Sequence, residues 1–516
     1  MKEMEASWVR NFNPLLPDGT SRYPSSSGIY EPMLVYNTMT GKYVPWLATN
    51  WSFGADSKTL SFTLRKGVKW SDGAPFSARD VVFTFELQRR YKPLDQHGVW
   101  DYLDGVSAKG DDTVEFAYKR VFVPSLFYLG HQAIVPEHVF AKVKDPVTFT
   151  NENPVGTGPF TEVRVFQNQV YELGKNPHYW QPGKPKLEAL RFPAYPSNDP
   201  AALAMANGEI DWAGNFVPAI DRTYVRKDPA HHGWWFPLVA GAVVLYPNDT
   251  KAPFDDRRVR KALSLAIDRK LAVKIAMYEY TRPSDATGLS DAYASWRDPE
   301  AMKRGDWVGF DVERANRLLD EVGLLRGQDG VRRQKDGRPM KYELQSVTGW
   351  SDWVRAAQVI ARGFRAIGVD ATVKLYDFGA WYERIQKGEF DLSMGWTEEG
   401  PTPYQFYRGM MSTKTLRPIG EPAAANWHRY GSAKADAVLE RFEREPDVAV
   451  QKTLARELEL EFVEAAPVIP LFLSPSWGEY STRRFTGFPT AANPYAKLTP
   501  NNPPENLLVL MELEPR

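Results

Sequence analysis

The residues with the most chemical content fall in two short stretches. Gly349-Trp350-Ser351-Asp352-Trp353 sets two indoles around a carboxylate just before a helical pattern. Trp396-Thr397-Glu398-Glu399 sets an indole beside two carboxylates at the end of an apolar run. Trp427, in Ala425-Asn426-Trp427-His428, is another loop tryptophan. A flat indole next to a carboxylate suits a pyranose ring, whose C–H face stacks on the ring while its hydroxyls bond to the polar group. The competing reading is packing, since most tryptophan is buried for the apolar area it removes from water. Glu398 and Glu399 are neighbours, so in extended chain they face opposite ways. They cannot form the facing pair of a glycosidase, whose carboxyls stand ~5–9.5 Å apart across the bond. One of them as a ligand acceptor, or both as solvated loop charges, are the remaining readings.

Other catalytic chemistry finds little support. The chain has no G-x-G-x-x-G, Walker loop, H-E-x-x-H or G-x-S-x-G motif. It has no cysteine, which removes disulfides, thiolate catalysis and Cys-ligated metals. His231 and His232 are adjacent and diverge, so a shared metal is not expected. Gly156-Thr157-Gly158-Pro159 looks like a phosphate nest, but Pro159 removes an amide donor, so a structural turn is the better reading. The 64 Lys+Arg and 64 Asp+Glu balance, giving no electrostatic footprint for nucleic acid. Glu440, Glu443 and Glu445, like Glu457 and Glu461, read as solvated helix faces.

The elements that must position these residues alternate between helix and strand. Leu60, Phe62 and Leu64 alternate with polar residues as a half-buried strand. Asp80, either Asp255 or Asp256, and Asp311 are placed to cap helices. Asn153 to Pro159 reads as a turn-rich crossover between units. Trp353 to Ile367 is an amphipathic helix closed by Gly368, followed by a strand at 369–375, a helix over Trp381 to Lys387 and a strand from Phe390 to Trp396. That order is α/β wiring. Trp46, Trp51, Trp70 and Trp180 sit in strand or turn contexts and read as packing residues. Trp396 ends a strand, and strand-to-loop junctions of α/β domains are where ligand sites lie. With 516 residues the chain has room for about three domain-sized units, and no apolar run approaches the ~20 residues that span a bilayer.

The stretch Leu47-Ala48-Thr49-Asn50-Trp51, continued by Phe62-Thr63-Leu64-Arg65-Lys66-Gly67-Val68-Lys69-Trp70-Ser71-Asp72-Gly73-Ala74-Pro75-Phe76-Ser77-Ala78-Arg79-Asp80-Val81-Val82-Phe83, resembles the signature of the family 5 extracellular solute-binding proteins of ABC importers. Asn153 to Phe160, Val259 to Arg269, Phe310 to Gly323, Ile367 to Trp396 and Ala466 to Phe472 match in order along nearly the whole chain. Asp145 to Phe160 and Phe216 to Tyr224 resemble the chitin- and cello-oligosaccharide binders of that family. The resemblance implies a large bilobed α/β periplasmic-binding-protein fold with an additional inserted domain and a hinge between lobes. By analogy, lobe one comprises 1–45, 166–245 and 485–516, the inserted domain 46–165, and lobe two 246–484.

The resemblance also implies a non-enzymatic carrier that takes a short β-linked oligosaccharide and delivers it to an inner-membrane ABC permease. Such a protein is expected to be a periplasmic monomer without cofactor or metal. The chain opens Met1-Lys2-Glu3-Met4 with no apolar signal core, which reads either as a cytoplasmic protein or as one whose targeting segment has been removed, so the periplasmic expectation rests on the resemblance. Gly349-Trp350-Ser351-Asp352 matches the Gly-Trp-x-Asp motif of the chitin-oligosaccharide binders, which makes Trp350 a stacking platform and Asp352 a hydroxyl acceptor. Trp396 and Glu398 fall where those binders place an Asn and a Phe. Trp396 and Trp427 would wall the cleft, Trp353 would support Trp350 or add a second platform, and Asn215 in Gly214-Asn215-Phe216 would contribute from the other lobe. The chain departs from those binders in two places. It has Thr499-Pro500-Asn501 near the C-terminus instead of a second stacking Trp, and Ser25-Ser26-Ser27-Gly28 instead of an Arg before Ile29-Tyr30-Glu31-Pro32, with Arg22 nearby. The alternative is a di- or oligopeptide, because the dipeptide binders follow a loop similar to Gly395-Trp396-Thr397 with an Asp that holds the peptide α-ammonium, a place open here to Glu398 or Glu399. A glycoside hydrolase is the remote third reading.

Overall fold

The computed structural model describes residues 8–16 and 23–516; Met1 to Met4 and Arg22 lie outside the described residues. The chain forms two compact units, one of Met1–Trp235 with Trp477–Arg516, the other of Phe236–Ser476. The mixed helix and sheet architecture matches the α/β class expected from the sequence.

The first unit holds three principal antiparallel sheets. One has four strands in the order Ala48–Phe53, Thr59–Leu64, Thr113–Tyr118 and Leu103–Ala108. The expected alternation is present: Leu60, Phe62 and Leu64 are buried. The helix Ala78–Arg90 covers this sheet, with Phe85 4.9 Å from Phe116 edge-to-face. Its cap is Ser77, not Asp80. Asp80 sits at the third helical position, where its Oδ2 accepts the Ser77 N–H at 2.9 Å, completing a capping box. A second sheet joins Phe160–Gln167, Val170–Lys175 and Ala189–Pro193. A third joins Trp212–Ala213, Glu479–Ser481 and His232–Trp234.

The turn at Asn153 to Pro159 does not link the two units. It lies inside the first, pressed on the backbone of Gly28 and Ile29. A Cβ at Gly156 or Gly158 would stand 2.0 Å from the Ile29 carbonyl oxygen or 2.1 Å from that of Gly28, so glycine is required by close approach. The adjacent Glu31 is fully buried and accepts from Trp46 Nε1 at 2.7 Å, Tyr179 hydroxyl at 3.0 Å and Trp180 Nε1 at 3.1 Å. Burial pushes its carboxyl up to about 7 against those donors. Trp46 and Trp70 are buried as expected, while Trp51 and Trp180 are half-buried.

The second unit is built on a five-stranded mixed sheet. Its strands are β1 (Ala242–Pro247), β2 (Lys341–Val347), β3 (Asp370–Tyr376), β4 (Leu392–Trp396) and β5 (Ile469–Leu473), in spatial order β3-β2-β4-β1-β5. β2 runs parallel to both β3 and β4, and β1 is antiparallel to β4 and β5. β1, inside the sheet, and β5, at its edge, are both buried along their whole length. Two crossover helices complete the wiring, α1 (Ser351–Ala366) from β2 to β3 and α2 (Phe378–Lys387) from β3 to β4. Asp256 and Asp311 cap their helices as expected. The acidic helix face is not wholly solvated, because Glu443 is 4% exposed and accepts from the Tyr404 hydroxyl at 2.8 Å. No helix among the described residues is long and apolar enough to cross a membrane.

Candidate ligand-binding site

From β2 the chain crosses to β3 on one side, and from β3 it returns past β2 to β4 on the other. The crossover direction therefore reverses between β2 and β4. The carboxyl edge at such a reversal is where open α/β sheets leave a crevice for ligand. Trp350 follows the end of β2 by three residues, Phe378 opens α2 just after β3, and Trp396 is the last residue of β4. The expected Trp350 and Trp396 thus come to one edge, with Phe378 beside them, because three parallel strands end there.

They form one ring cluster. Trp350 meets Trp353 edge-to-face at 4.9 Å and lies 5.8 Å from Phe378 and 6.4 Å from Trp396. Trp396 is 5.1 Å from Trp381 and 5.5 Å, edge-to-face, from Trp427. Its plane is nearly parallel to those of Tyr382 at 5.9 Å and Phe378 at 6.4 Å. Trp350, Phe378, Tyr382 and Trp396 are half-buried, whereas Trp353, Trp381 and Trp427 are buried beneath them. The buried indoles have their donors used: Trp427 Nε1 donates to the Ala423 carbonyl and Trp381 Nε1 to Ser393 Oγ, both at 3.1 Å. The arrangement is a rigid apolar floor carrying four rings with solvent access.

Phe378, Trp381 and Tyr382 were not among the expected site residues. Their spacing of three and four is the signal, but a helix pattern of aromatics reads the same for core as for a ligand wall. The helix itself starts earlier than its sequence pattern suggested, with Asp377 as cap. α1 likewise starts at Ser351, with Trp350 in the cap position and Gly349 at φ +86° turning the chain out of β2. Asp352 is thereby held in the first helical turn, 4% exposed, where the helix dipole favours a carboxylate.

The loop after β4 is pinned on both flanks. The Tyr246 hydroxyl donates to the Trp396 carbonyl at 2.7 Å, and Thr397 exchanges hydrogen bonds with Ala242 at 2.9 and 3.2 Å. Glu399 Oε1 accepts the Gly241 N–H at 3.2 Å, and the Tyr293 hydroxyl clamps Gly400 at 2.8 and 2.9 Å. Between these anchors Glu398 turns in toward Gly409, where an added Cβ would stand 2.6 Å from its Oε2. Among the described residues it makes no hydrogen bond or ion pair. Burial pushes its carboxyl up to about 7, opposed only by the charge of Arg408.

Asn215 belongs to the first unit, at the end of the strand Trp212–Ala213, and is 2% exposed. Among the described residues no group of three His, Asp or Glu side chains is arranged to hold a metal ion.

Comparison with known proteins places this architecture. The family model for bacterial extracellular solute-binding proteins, family 5 (middle), matches residues 42–416. The chain is 28% identical over 428 residues to the nickel-binding periplasmic protein of Escherichia coli K12, covering 79% of this chain and 78% of that protein. It is 27% identical over 426 residues to the dipeptide-binding protein of the same organism, covering 78% and 76%. A solved structure of a mannohexaose-bound periplasmic oligopeptide-binding protein of an ABC transporter from Thermotoga maritima superposes with a TM-score of 0.91 at 25% identity, covering 100% of this chain and 98% of that one.

Proposed function

From a chain that belongs to the bacterial extracellular solute-binding proteins of family 5, the binding components of ABC importers, we propose a periplasmic carrier of di- or oligopeptides that hands them to an inner-membrane permease. One observation carries this reading: Glu398, a carboxyl raised toward neutrality by burial, with no partner among the described residues, beside an aromatic wall. A buried carboxylate is stabilised by a paired cation, and a peptide α-ammonium supplies one. Glu399 is the weaker candidate for that role, because it is exposed and already bonds the Gly241 amide. Trp350, Phe378, Tyr382 and Trp396 would hold apolar side chains, with Trp353 and Trp427 as support and Asp352 as a further acceptor. The dipeptide-binding relative fits this reading better than it fits the oligosaccharide favoured by the sequence motifs.

The second reading is a short β-linked oligosaccharide. It is favoured by the half-buried indoles, whose flat faces suit pyranose rings, and by the mannohexaose in the similar Thermotoga protein. Here Trp350 stacks a sugar while Asp352 and Glu398 accept hydroxyls. The three-part division with 46–165 as an inserted domain remains part of the proposal. Mass spectrometry of small molecules released by denaturing the protein as purified tests both. Released peptides support the first reading, and hexose oligomers without peptides replace it with the second.

A further inference from the structure

The turn that carries Trp427 is held in an unfavourable backbone shape. Asn426 and Arg429 stand at φ +56° and +64°, in the left-handed region that residues other than glycine enter only when their surroundings impose it. The Arg429 side chain ties this turn down. Its buried guanidinium donates to four carbonyls, through Nη1 to Asn426 at 3.2 Å and Trp427 at 3.5 Å, and through Nη2 to Gln386 at 2.7 Å and Glu421 at 2.9 Å.

The four carbonyls belong to three segments. Gln386 lies in the last turn of α2, where carbonyls lack partners within the helix and favour a cation. Glu421 lies in the loop 418–424, whose Gly420 and Ala423 N–H groups donate to the Lys387 and Gln386 carbonyls at 2.8 and 3.0 Å. Asn426 and Trp427 form the turn itself. α2 ends at Gly388, at φ +70°, where a Cβ would stand 2.7 Å from Ile419 Cδ1 and 3.5 Å from Arg429 Nε. Glycine there lets both the loop and the guanidinium close on the helix end.

Burial, with Arg417 nearby, works against the charge of Arg429, and its four acceptors are neutral. A buried cation without a carboxylate among its acceptors is expensive to keep, and the rings it ties together supply a reason. Trp427 stands edge-on to Trp396 at 5.5 Å and to Tyr382, on α2, at 6.1 Å. Its Nε1 bonds the same 418–424 loop at Ala423. We propose that Arg429 is a positioning residue of the aromatic wall. By clasping the end of α2 to the Trp427 turn, it fixes the spacing of Tyr382, Trp396 and Trp427. The wall thereby selects a flat group, such as the aromatic side chain of a peptide, over a small one. This inference rests on the solute-binding reading and lies wholly within the second unit.

The test is calorimetry of the refolded full chain with Ala-Phe-Ala, trialanine and cellotetraose, together with the indole exciton couplet in circular dichroism. The variants are Arg429→Lys, Arg429→Met, Trp427→Phe, each Arg429 change combined with Trp427→Phe, and Trp350→Ala. Lysine keeps the charge but cannot span four carbonyls. Methionine keeps the bulk and removes a desolvated cation, so it folds even where lysine does not. Both are expected to weaken Ala-Phe-Ala roughly tenfold and trialanine far less, to diminish the couplet, and to add little in the Trp427→Phe background. If cellotetraose alone binds, the same tenfold loss is read on it. Unchanged affinity for the ring-bearing probe in both variants, while Trp350→Ala loses binding, overturns the clasp and leaves the solute-binding reading standing. Equal losses for every probe that persist in the Trp427→Phe background also overturn it, because Arg429 then acts on the fold as a whole. Absence of heat from all three probes with the wild type overturns the underlying reading. The couplet then decides the clasp by itself, which stands if both Arg429 variants diminish it and falls if neither does.

Discussion

Replacing Glu398 by Gln separates what burial does to this carboxyl from what a ligand would do. Its pKa in the folded chain is about 7 against an ordinary 4.5. A group raised on folding lends its full stability below the unfolded value, and this is lost as pH climbs through the folded one. At 1.36 kcal/mol per pKa unit the penalty above pH 7 approaches about 3 kcal/mol, an upper figure for a half-buried side chain. Glu398→Gln removes the charge and keeps the shape, so the ligand-free variant is more stable than wild type at pH 8 and matches it near pH 4.5. At roughly 2–4 °C per kcal/mol for a unit of this size, the gain reads as several degrees in thermal unfolding. Glu31 and Glu459 are raised to about 7 as well, so the slope of wild-type stability between pH 4.5 and 7 is shared, and only the difference between wild type and variant isolates Glu398. The same variant loses peptide affinity at pH 8 by on the order of a hundredfold, since an ammonium would lose its buried counter-charge. A variant no more stable than wild type at pH 8, with peptide affinity intact, would refute the assignment of an unpartnered, ligand-seeking carboxylate.

Trp350→Ala should weaken ligand binding by ~2 kcal/mol or more, about thirtyfold, in calorimetry, as removal of an aromatic anchor does. Gly409→Ala should leave thermal stability unchanged or slightly raised, because alanine is the better helix former by ~1 kcal/mol, yet lower affinity, because its Cβ displaces the Glu398 carboxylate. Equal affinity for Gly409→Ala and wild type would detach Glu398 from the site. Arg260→Lys should lower the unfolding midpoint strongly. The buried guanidinium donates at once to the Phe254, Ala465 and Ala466 carbonyls and stands 3.4 Å from Asp249, a set of contacts a single ammonium cannot reproduce.

Sequence reasoning read the second unit best where a local signal had one cause. Asp256 and Asp311 cap helices through side-chain bonds to the following amides, and that chemistry is written in two or three residues. It erred by three residues at Ser77 and Asp80, because in a capping box both residues bond to the helix start and only the backbone angle tells them apart. α1 began two residues early because its cap, Trp350, makes no side-chain cap bond to announce it. Trp350, Trp353 and Trp396 could be read as neighbours because strand ends in α/β wiring gather at one edge. Phe378, Trp381 and Tyr382 could not, since ring contacts across α2 and β4 depend on strand order. The clasp of Arg429 left no trace in the sequence, because it gathers carbonyls from segments up to 43 residues apart.

The most direct measurement is calorimetry of denatured and refolded, ligand-free protein against a di- and tripeptide pool and against cello- and manno-oligosaccharides. It is repeated at pH 5.5 and pH 8 in buffers of different ionisation heat, so that protons released on binding are counted. The peptide reading predicts heat from peptides, tighter binding at pH 8, and close to one proton released at the lower pH as an ammonium draws Glu398 into its charged form. Heat from oligosaccharides alone, with no proton release at either pH, would contradict it and give the site to a sugar.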